Sequence, residues 1–464
     1  MLFTAPAFAF LFLPLSLLFY IIFGKKQKKV CFLIISIVYY VLLNMDAPQN
    51  IAVLPVLLIY SFFAQITSEK YSKKWLTILL CCVPFVGLVG LRTLVYMDIS
   101  DFTYPVGITI PILLSISYIW DCRDSCGAGM RFFRMTSYIT FFPLMILGPF
   151  LPYNDFCRIS DDENISFDLS SVADGARLYM IGFVKRIAVG AVLVDAYQRI
   201  FAYSWDTRSF GTLILLLILI YFGVFFSVLG YYDMGVGISR MFGFAIPEVN
   251  TNPFSITTVN EYSNGLFGSI RDWVRRYVLY PLFGDGKAPN AVRMLAYCVF
   301  TVAIVRSDLV SLILSLPLFL FAFLSSLIKI DGNAAKHKML AIKMLLGMVT
   351  MLAMGTLFVF ITMGNGMVFE GLTVDFGNAE YQTDMILISF SWLKYLVVIA
   401  LGVCTVLPLT QTAQRRKESL SPAKRALRDY ASMSIMIVIF FITVIFFLPQ
   451  FEIYSIMPFS YIVV

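Results

Sequence analysis

Long, continuous runs of hydrophobic residues recur along the whole chain and are separated by short polar stretches. Several runs reach about 20 residues, the length that an α-helix needs to cross a hydrocarbon core of roughly 30 Å. The runs are continuously apolar rather than alternating, so the strands of a membrane β-barrel are not expected. The pattern therefore predicts an all-α polytopic membrane protein.

The first four runs alternate with short basic turns. The runs cover residues 2–23, 30–43, 51–66 and 76–91. Lysines at 25, 26, 28 and 29 follow the first run, and lysines at 70, 73 and 74 follow the third. Because cytoplasmic loops are enriched in Lys and Arg, both turns are expected in the cytoplasm and the N-terminus outside. The first run lacks a basic leader and a cleavage site, so we expect a transmembrane helix rather than a signal peptide.

Later runs are less regular. Residues 104–123 contain prolines and a glycine, which leaves a kinked span and a broken helix as alternatives. Further spans are expected near residues 174–199, 211–229, 290–305, 309–327, 339–363, 385–407 and 432–448. We predict about eleven to thirteen spans in a single domain, residues 1–464. N-terminal spans occupy 1–100, the core 101–330 and C-terminal spans 331–464.

Composition supports the membrane class. Of the 464 residues, 59% are hydrophobic and only 14% are charged, whereas soluble domains carry about 25% charged residues. The net charge of +7 belongs to loops, and no nucleic-acid-binding module is present. The eight cysteines are scattered, so they are expected to be buried inert thiols, with lipidation of a juxtamembrane cysteine as the alternative.

Residues 225–282 combine polar and aromatic groups inside an otherwise apolar chain, and such groups tend to mark function in membranes. The segment resembles the central part of the membrane-bound O-acyltransferases (MBOAT), in the branch of alginate O-acetylases and D-alanyl transfer proteins. The matching residues are Tyr232, Asp233, Met234, Gly235, Gly237, Gly243, Phe244, Asn252, Pro253, Phe254, Glu261, Tyr262, Trp273, Arg275, Tyr277, Pro281 and Leu282. Similar flanking matches are Tyr118 with Asp121, Phe141 to Pro143 with Gly148 and Pro149, and the run GFVKRIAVGAVLVD at 182–195.

The resemblance implies a helical bundle, with broken or re-entrant segments, around a central cavity in a bacterial inner membrane. It implies transfer of an acyl group from a thioester donor, acyl-CoA or an acyl carrier protein, to a hydroxyl of a cell-envelope or exported polysaccharide. A separate extracytoplasmic or membrane partner is implied, and no bound cofactor or metal. The residues expected to line the substrate or donor cavity are Asp233, Asn252, Arg271, Asp272, Trp273, Arg275 and Tyr277.

Histidine is missing where the family uses it as a base. The resemblance places the two family histidines at Phe267 and at or near Arg306, and the chain has one histidine, His337, in a basic stretch. Arg306 cannot accept a proton, because guanidinium is always charged. It could hold an anion or a developing oxyanion, or form a loop-end pair with Asp308. Glu261 is a further candidate for the base.

Several assignments stay open. Asp272 would serve as a base only if burial favoured its protonated form, and residues 271–276 fit an interfacial amphipathic helix equally well. Lys185 and Arg186 either snorkel to the interface or contact an anionic headgroup or acyl donor. Three functions follow. The chain is a scaffold or acyl-lipid conduit that keeps the fold and tunnel, an active O-acyltransferase with a carboxylate or partner-supplied base, or an unrelated transporter.

Overall fold

The structure is a computed structural model. It describes residues 2–71, 73–96, 104–122, 131–146, 151–161, 169–203, 210–246, 268–284, 289–305, 398–399 and 422–447. The described part is helical and contains no strand. The expected all-α polytopic membrane fold is therefore confirmed.

Thirteen helical elements suffice to follow the described chain. The first nine are α1 Leu13–Leu43, α2 Val53–Tyr71, α3 Lys74–Tyr96, α4 Thr109–Asp121, α5 Arg131–Ile139, α6 Phe142–Met145, α7 Tyr153–Asp161, α8 Leu169–Val184 and α9 Val192–Tyr203. The others are α10 Phe210–Met241, α11 at residues 268–283, α12 Asn290–Val305 and α13 Pro422–Ile442. Four π-helical turns accompany them, at Phe8–Phe12, Lys185–Ala191, Arg275–Leu279 and Thr443–Phe447.

The basic stretch at residues 25–29 lies at a reversal of the chain within α1. Gln27 leaves the helical conformation, with φ −140° and ψ 48°. The rings of Phe12 and Tyr39 lie 5.4 Å apart, although a continuous helix would separate these residues by about 40 Å. The two arms of α1 are therefore antiparallel, and the predicted turn between the first two spans is confirmed. Its cytoplasmic location stays a prediction.

α10 is the central helix of the described bundle. Three helices in the described part are long and apolar enough to cross a membrane, namely Pro48–Tyr71, Lys74–Leu91 and Ile214–Met241. Of the 18 most apolar consecutive residues in α10, 83% are buried, compared with 33% for the helix that contains α2 and 22% for α3. The predicted span ends at residue 229, but the helix continues to Met241. Asp233 therefore lies inside α10, and the surrounding protein buries it.

The segment at residues 104–123 is broken, as one of its two alternatives predicts. Residues 104–108 are not helical, and Gly107 adopts a positive φ of 76°. α4 then begins at Thr109, and its residues up to Ile119 are buried. The described residues of 138–156 lie in and between α5, α6 and α7. Most described residues of these segments are buried by protein, the condition under which irregular backbone is tolerated inside a membrane.

One cysteine departs from the expectation of inert thiols. Cys122, directly after α4, is disulfide-bonded, so the expectation is wrong for this residue. The described cysteines 31, 81, 82, 157 and 298 are free thiols. The sequence did not reveal a disulfide at Cys122, because pairing depends on geometry that sequence does not carry.

Glycines hold α10 against the helix that runs from α8 through the π turn into α9. A Cβ atom added to any of these glycines would meet the facing helix, often its backbone. The facing pairs, in antiparallel order, are Gly175 with Gly237 and Gly182 with Gly230, followed by Gly190, whose added Cβ would lie against Ser227 and 3.2 Å from the Gly223 carbonyl oxygen. A Cβ on Gly182 would lie 2.5 Å from the Gly230 carbonyl oxygen. We call these six glycines the glycine seam. Small residues allow such close helix packing in membranes.

We expect Gly182→Ala to destabilise the fold by about 1–3 kcal/mol, because the added methyl group overpacks backbone atoms that cannot move aside. Thermal unfolding of the detergent-solubilised protein measures the effect. Gly90→Ala in α3 is the matched control, because a Cβ there has no neighbour within 4 Å. Equal stability of the two variants would contradict the close packing of α8 and α10.

Candidate functional site

Two segments far apart in sequence meet in a buried polar cluster. The α4–α11 cluster comprises Ser117, Asp121, Trp273, Arg276 and Tyr277. The Trp273 indole Nε1 donates a hydrogen bond to Ser117 Oγ over 2.8 Å. One turn further, the Tyr277 hydroxyl donates to Asp121 Oδ2 over 2.9 Å. Residues four apart share a helix face, so each helix presents two polar groups to the other.

Arg276 completes the cluster from the side. Its guanidinium lies 3.4 Å from Asp121 Oδ2, and the Asp121 side chain is only 4% exposed. A buried carboxylate needs both charge and hydrogen-bond partners, and Arg276 and Tyr277 supply them. The contacts hold α11 against α4 at two levels, so Asp121 acts as an anchor for the α11 segment.

Aromatic rings enclose the cluster. The Tyr153 ring packs edge-on against Tyr118 at 5.1 Å and against Tyr138 at 5.2 Å between centroids. The Tyr138 hydroxyl donates to the Leu151 carbonyl over 2.7 Å. Three segments that carry the family-like residues, 104–122, 131–161 and 268–284, therefore converge on one place.

A second buried polar group lies between α8 and α10. Lys185 Nζ is 2.6 Å from Asp233 Oδ2, and both side chains are less than one-tenth exposed. Arg186 donates to Ser227 Oγ over 3.3 Å and stands over the Tyr231 ring at 5.4 Å. The snorkelling interpretation of Lys185 and Arg186 is wrong, because both side chains turn into the bundle. We call these five residues the Lys185 cluster.

The predicted cavity residues of α11 separate into two groups. Trp273 and Tyr277 face α4, and the Arg271 guanidinium stacks over the Tyr297 ring at 4.4 Å. Asp272 and Arg275 instead form an exposed pair at 3.6 Å, with 76% and 68% of their side chains accessible.

Both side chains are therefore on the accessible face of α11, and the expectation that Asp272 and Arg275 line a cavity stays a prediction. The exposure leaves Asp272 without the burial that a carboxylate base would need. The pair fits the amphipathic-helix alternative, in which one face of α11 is polar and accessible. Arg275 matches the family pattern by position, but the neighbouring Arg276 contacts the buried Asp121, because residues three apart on a helix share a face and Arg276 therefore lies on the side of Trp273.

Five predicted site positions lie outside the described residues, and so does His337. The five are Asn252, Glu261, Phe267, Arg306 and Asp308. In the described part of the chain, no group of three or more histidine, cysteine or acidic side chains could hold a metal ion.

Sequence reasoning missed two features of these clusters. Ser117 was not singled out, although Ser117 and Asp121 are four apart in an otherwise apolar helix, a signal that was available. The pairing of Lys185 with Asp233 could have been inferred, because buried lysines in membranes pair with carboxylates on neighbouring helices.

A bundle of apolar helices with buried charged pairs and broken, protein-covered segments defines a polytopic membrane protein with an internal polar site. Residues 32–305 match the model of MBOAT, the membrane-bound O-acyltransferase family. The chain belongs to this family. Both clusters lie within the matched region.

Named relatives share about a quarter of the aligned residues. A probable alginate O-acetylase, AlgI, from Pseudomonas fluorescens is 24% identical over 294 residues, covering 62% of this chain and 58% of the relative. The AlgI protein of Pseudomonas putida is 24% identical over 316 residues, 62% of each chain. A peptidoglycan O-acetyltransferase of Helicobacter pylori is 22% identical over 340 residues, 61% of this chain and 62% of the relative. The matches thus span about three-fifths of the relatives' length.

We expect Lys185→Met to destabilise the protein by about 3–5 kcal/mol, because it removes the cation that faces the buried Asp233 carboxylate. Arg275→Met is the matched control, since its exposed partner Asp272 contributes at most about 1 kcal/mol. Denaturation of both variants in the same detergent gives the comparison. Similar losses for the two variants would argue against a buried pair.

We expect Tyr277→Phe to cost about 1.5–3 kcal/mol, the range for a hydrogen bond to a charged group. The exposed Tyr280 provides the control variant Tyr280→Phe, for which little change is expected. A double-mutant cycle with Asp121→Asn tests whether the loss belongs to this contact. Strict additivity in the cycle would show that Tyr277 and Asp121 do not interact.

Proposed function

We propose that this chain takes part in O-acylation, most simply O-acetylation, of a cell-envelope or exported polysaccharide at the bacterial inner membrane. Membership of the MBOAT family and the names of its relatives support this proposal. The observation that carries it is that the family-like segments converge on the α4–α11 cluster. This cluster is a buried, hydrogen-bonded polar site within the region that matches the family.

The proposed chemistry does not use the family's histidines. The whole chain contains one histidine, His337, and the resemblance places the family positions at Phe267 and at or near Arg306. In acyl transfer the acceptor hydroxyl oxygen attacks the thioester carbonyl carbon, the carbon–sulfur bond breaks, and the proton of the hydroxyl passes through a base to the departing thiolate. Arg306 could stabilise the oxyanion that forms on the carbonyl oxygen, but it cannot be the base.

Two forms of this function remain as proposals. In the first, the chain keeps the fold and the tunnel as a conduit or scaffold, and a partner performs the transfer. In the second, the chain is itself the transferase, with Glu261, Asp308 or a partner-supplied group as the base. The exposure of Asp272 argues against this carboxylate as the base, which reduces the number of candidate bases in the second form.

The proposed donor is an acyl thioester, either acyl-CoA or an acyl carrier protein, and the proposed partner is an extracytoplasmic or membrane protein of a polysaccharide-modification complex. The lysine-rich turns at residues 25–29 and 70–74 support a cytoplasmic face on their side and an extracytoplasmic N-terminus.

The deciding measurement is thiol release from a labelled acetyl thioester by the purified protein in lipid, with and without polysaccharide acceptor. We expect release above a heat-denatured control if the chain is a transferase, and donor binding without release if it is a conduit. His337→Ala should leave any turnover unchanged, because His337 lies between lysines in a basic stretch. The absence of both donor binding and thiol release would reject the proposed function.

Arg306→Ala separates binding of an anion from a peripheral ion pair. If Arg306 holds an anionic group or an oxyanion, the variant folds and loses turnover or donor binding, and a loss of about 100-fold is typical when one oxyanion donor is removed. Asp308→Asn is the matched variant for the loop-end alternative. Wild-type behaviour of Arg306→Ala would remove that residue from the site.

A further inference from the structure

The spacing of the glycine seam differs by one residue between its two sides. On α10 the seam glycines are seven residues apart, at 223, 230 and 237. On the opposite side Gly175 and Gly182 are also seven apart, but Gly182 and Gly190 are eight apart. The extra residue lies within or beside the π turn Lys185–Ala191.

Helical geometry explains why the π turn must accompany this spacing. At about 100° per residue, seven residues fall about 20° short of two turns, whereas eight overshoot by about 80°. In a regular α-helix Gly190 would therefore rotate away from Gly223. A π turn takes up one additional residue, so the seam continues on the same face of the helix.

Packing alone does not call for this arrangement. A seven-residue spacing on both sides would align the seam with a continuous α-helix, and π turns are rare and frequently occur at functional sites. The π turn begins at Lys185, and Arg186 follows at the place where a Cβ on Gly230 would lie 2.9 Å from the Arg186 backbone nitrogen. The extra residue is thus located where two cations enter the bundle.

The second buried cluster shows the same association independently. The π turn Arg275–Leu279 also starts with two basic residues, and its Arg276 reaches the buried Asp121 of another helix. The other two described π turns, Phe8–Phe12 and Thr443–Phe447, carry no charged residue. Two of the four described π turns thus coincide with a buried ion pair, and the other two occur without one.

We infer that the π turn Lys185–Ala191 contains a one-residue insertion that the fold does not need. The insertion positions the Lys185–Asp233 pair inside the bundle, where the pair supports the proposed acyl transfer. Lys185 and Asp233 are thus positioning residues. The role of the pair in acyl transfer rests on the proposed function. The claim that packing does not need the extra residue rests on the glycine spacing alone.

Deletion of Ala188 tests both halves. Ala188 is half-buried and lies outside the seam and the ion pair, and its removal restores a seven-residue spacing between the flanking seam glycines. We expect a folded protein that unfolds at or above the wild-type temperature, while acyl-thioester turnover falls by about 100-fold, as for a misplaced group at a reaction site. The KM for the donor should change little, since the loss affects positioning rather than donor binding.

Deletion of Val228 is the matched control. It shortens the spacing between Gly223 and Gly230 by one residue without a π turn to absorb the change, so we expect no folded protein. A second variant, Lys185→Met with Asp233→Leu, replaces the pair by apolar side chains. Such replacements preserve stability in other proteins, so we expect folding without turnover.

The outcomes decide between the alternatives. Full turnover of the Ala188 deletion would overturn the inference, and so would its failure to fold, because packing would then require the extra residue. If the wild-type protein itself shows no turnover, the proposed transferase activity fails separately. In that case the folded deletion variant is tested for its ability to restore the envelope phenotype of a host strain lacking the protein. Restoration would overturn the inference, and failure to restore supports it.

Discussion

Backbone contact between α10 and the α8–α9 helix sets the distances on which the buried polar groups depend. Where glycines face each other, no side chain keeps the two helices apart, and the carbonyl of one lies against the Cα of the other. Because the helices are this close, Lys185 Nζ and Asp233 Oδ2 contact each other inside the bundle. A wider interface would leave the same two charges in an apolar interior, at a cost of several kcal/mol.

The two buried clusters follow one structural rule. In each, basic residues at the start of a π turn meet a carboxylate supplied by a different helix, Asp233 in one case and Asp121 in the other. The carboxylates are satisfied by partners about 50 and 155 residues away in sequence. The polar interior therefore exists only in the assembled bundle. Each cluster neutralises a buried charge and also fixes the orientation of a helix.

The membrane class, the turn at residues 25–29 and the broken segments could be predicted because each depends on local patterns of hydrophobic, basic and helix-breaking residues. Lys185 and Arg186 were harder, because the same residues fit both an interface and an interior, and only the position of α10 decides between them. The orientation of the α11 residues was harder for a related reason. A helical wheel with 100° steps places Trp273, Arg276 and Tyr277 on one side and leaves Asp272 and Arg275 off it, but only the structure shows that α4 covers that side.

The buried Lys185 and Arg186 also bear on how the protein enters its membrane. Each cation at the centre of an isolated helix disfavours insertion by about 2.5–3.5 kcal/mol, so the helix through Lys185 is a poor candidate for independent partitioning into lipid. Asp233 arrives only with α10, the next long helix to be synthesised. Stable integration of the two helices is therefore expected to be a joint event, with the insertion machinery retaining the first until the second emerges.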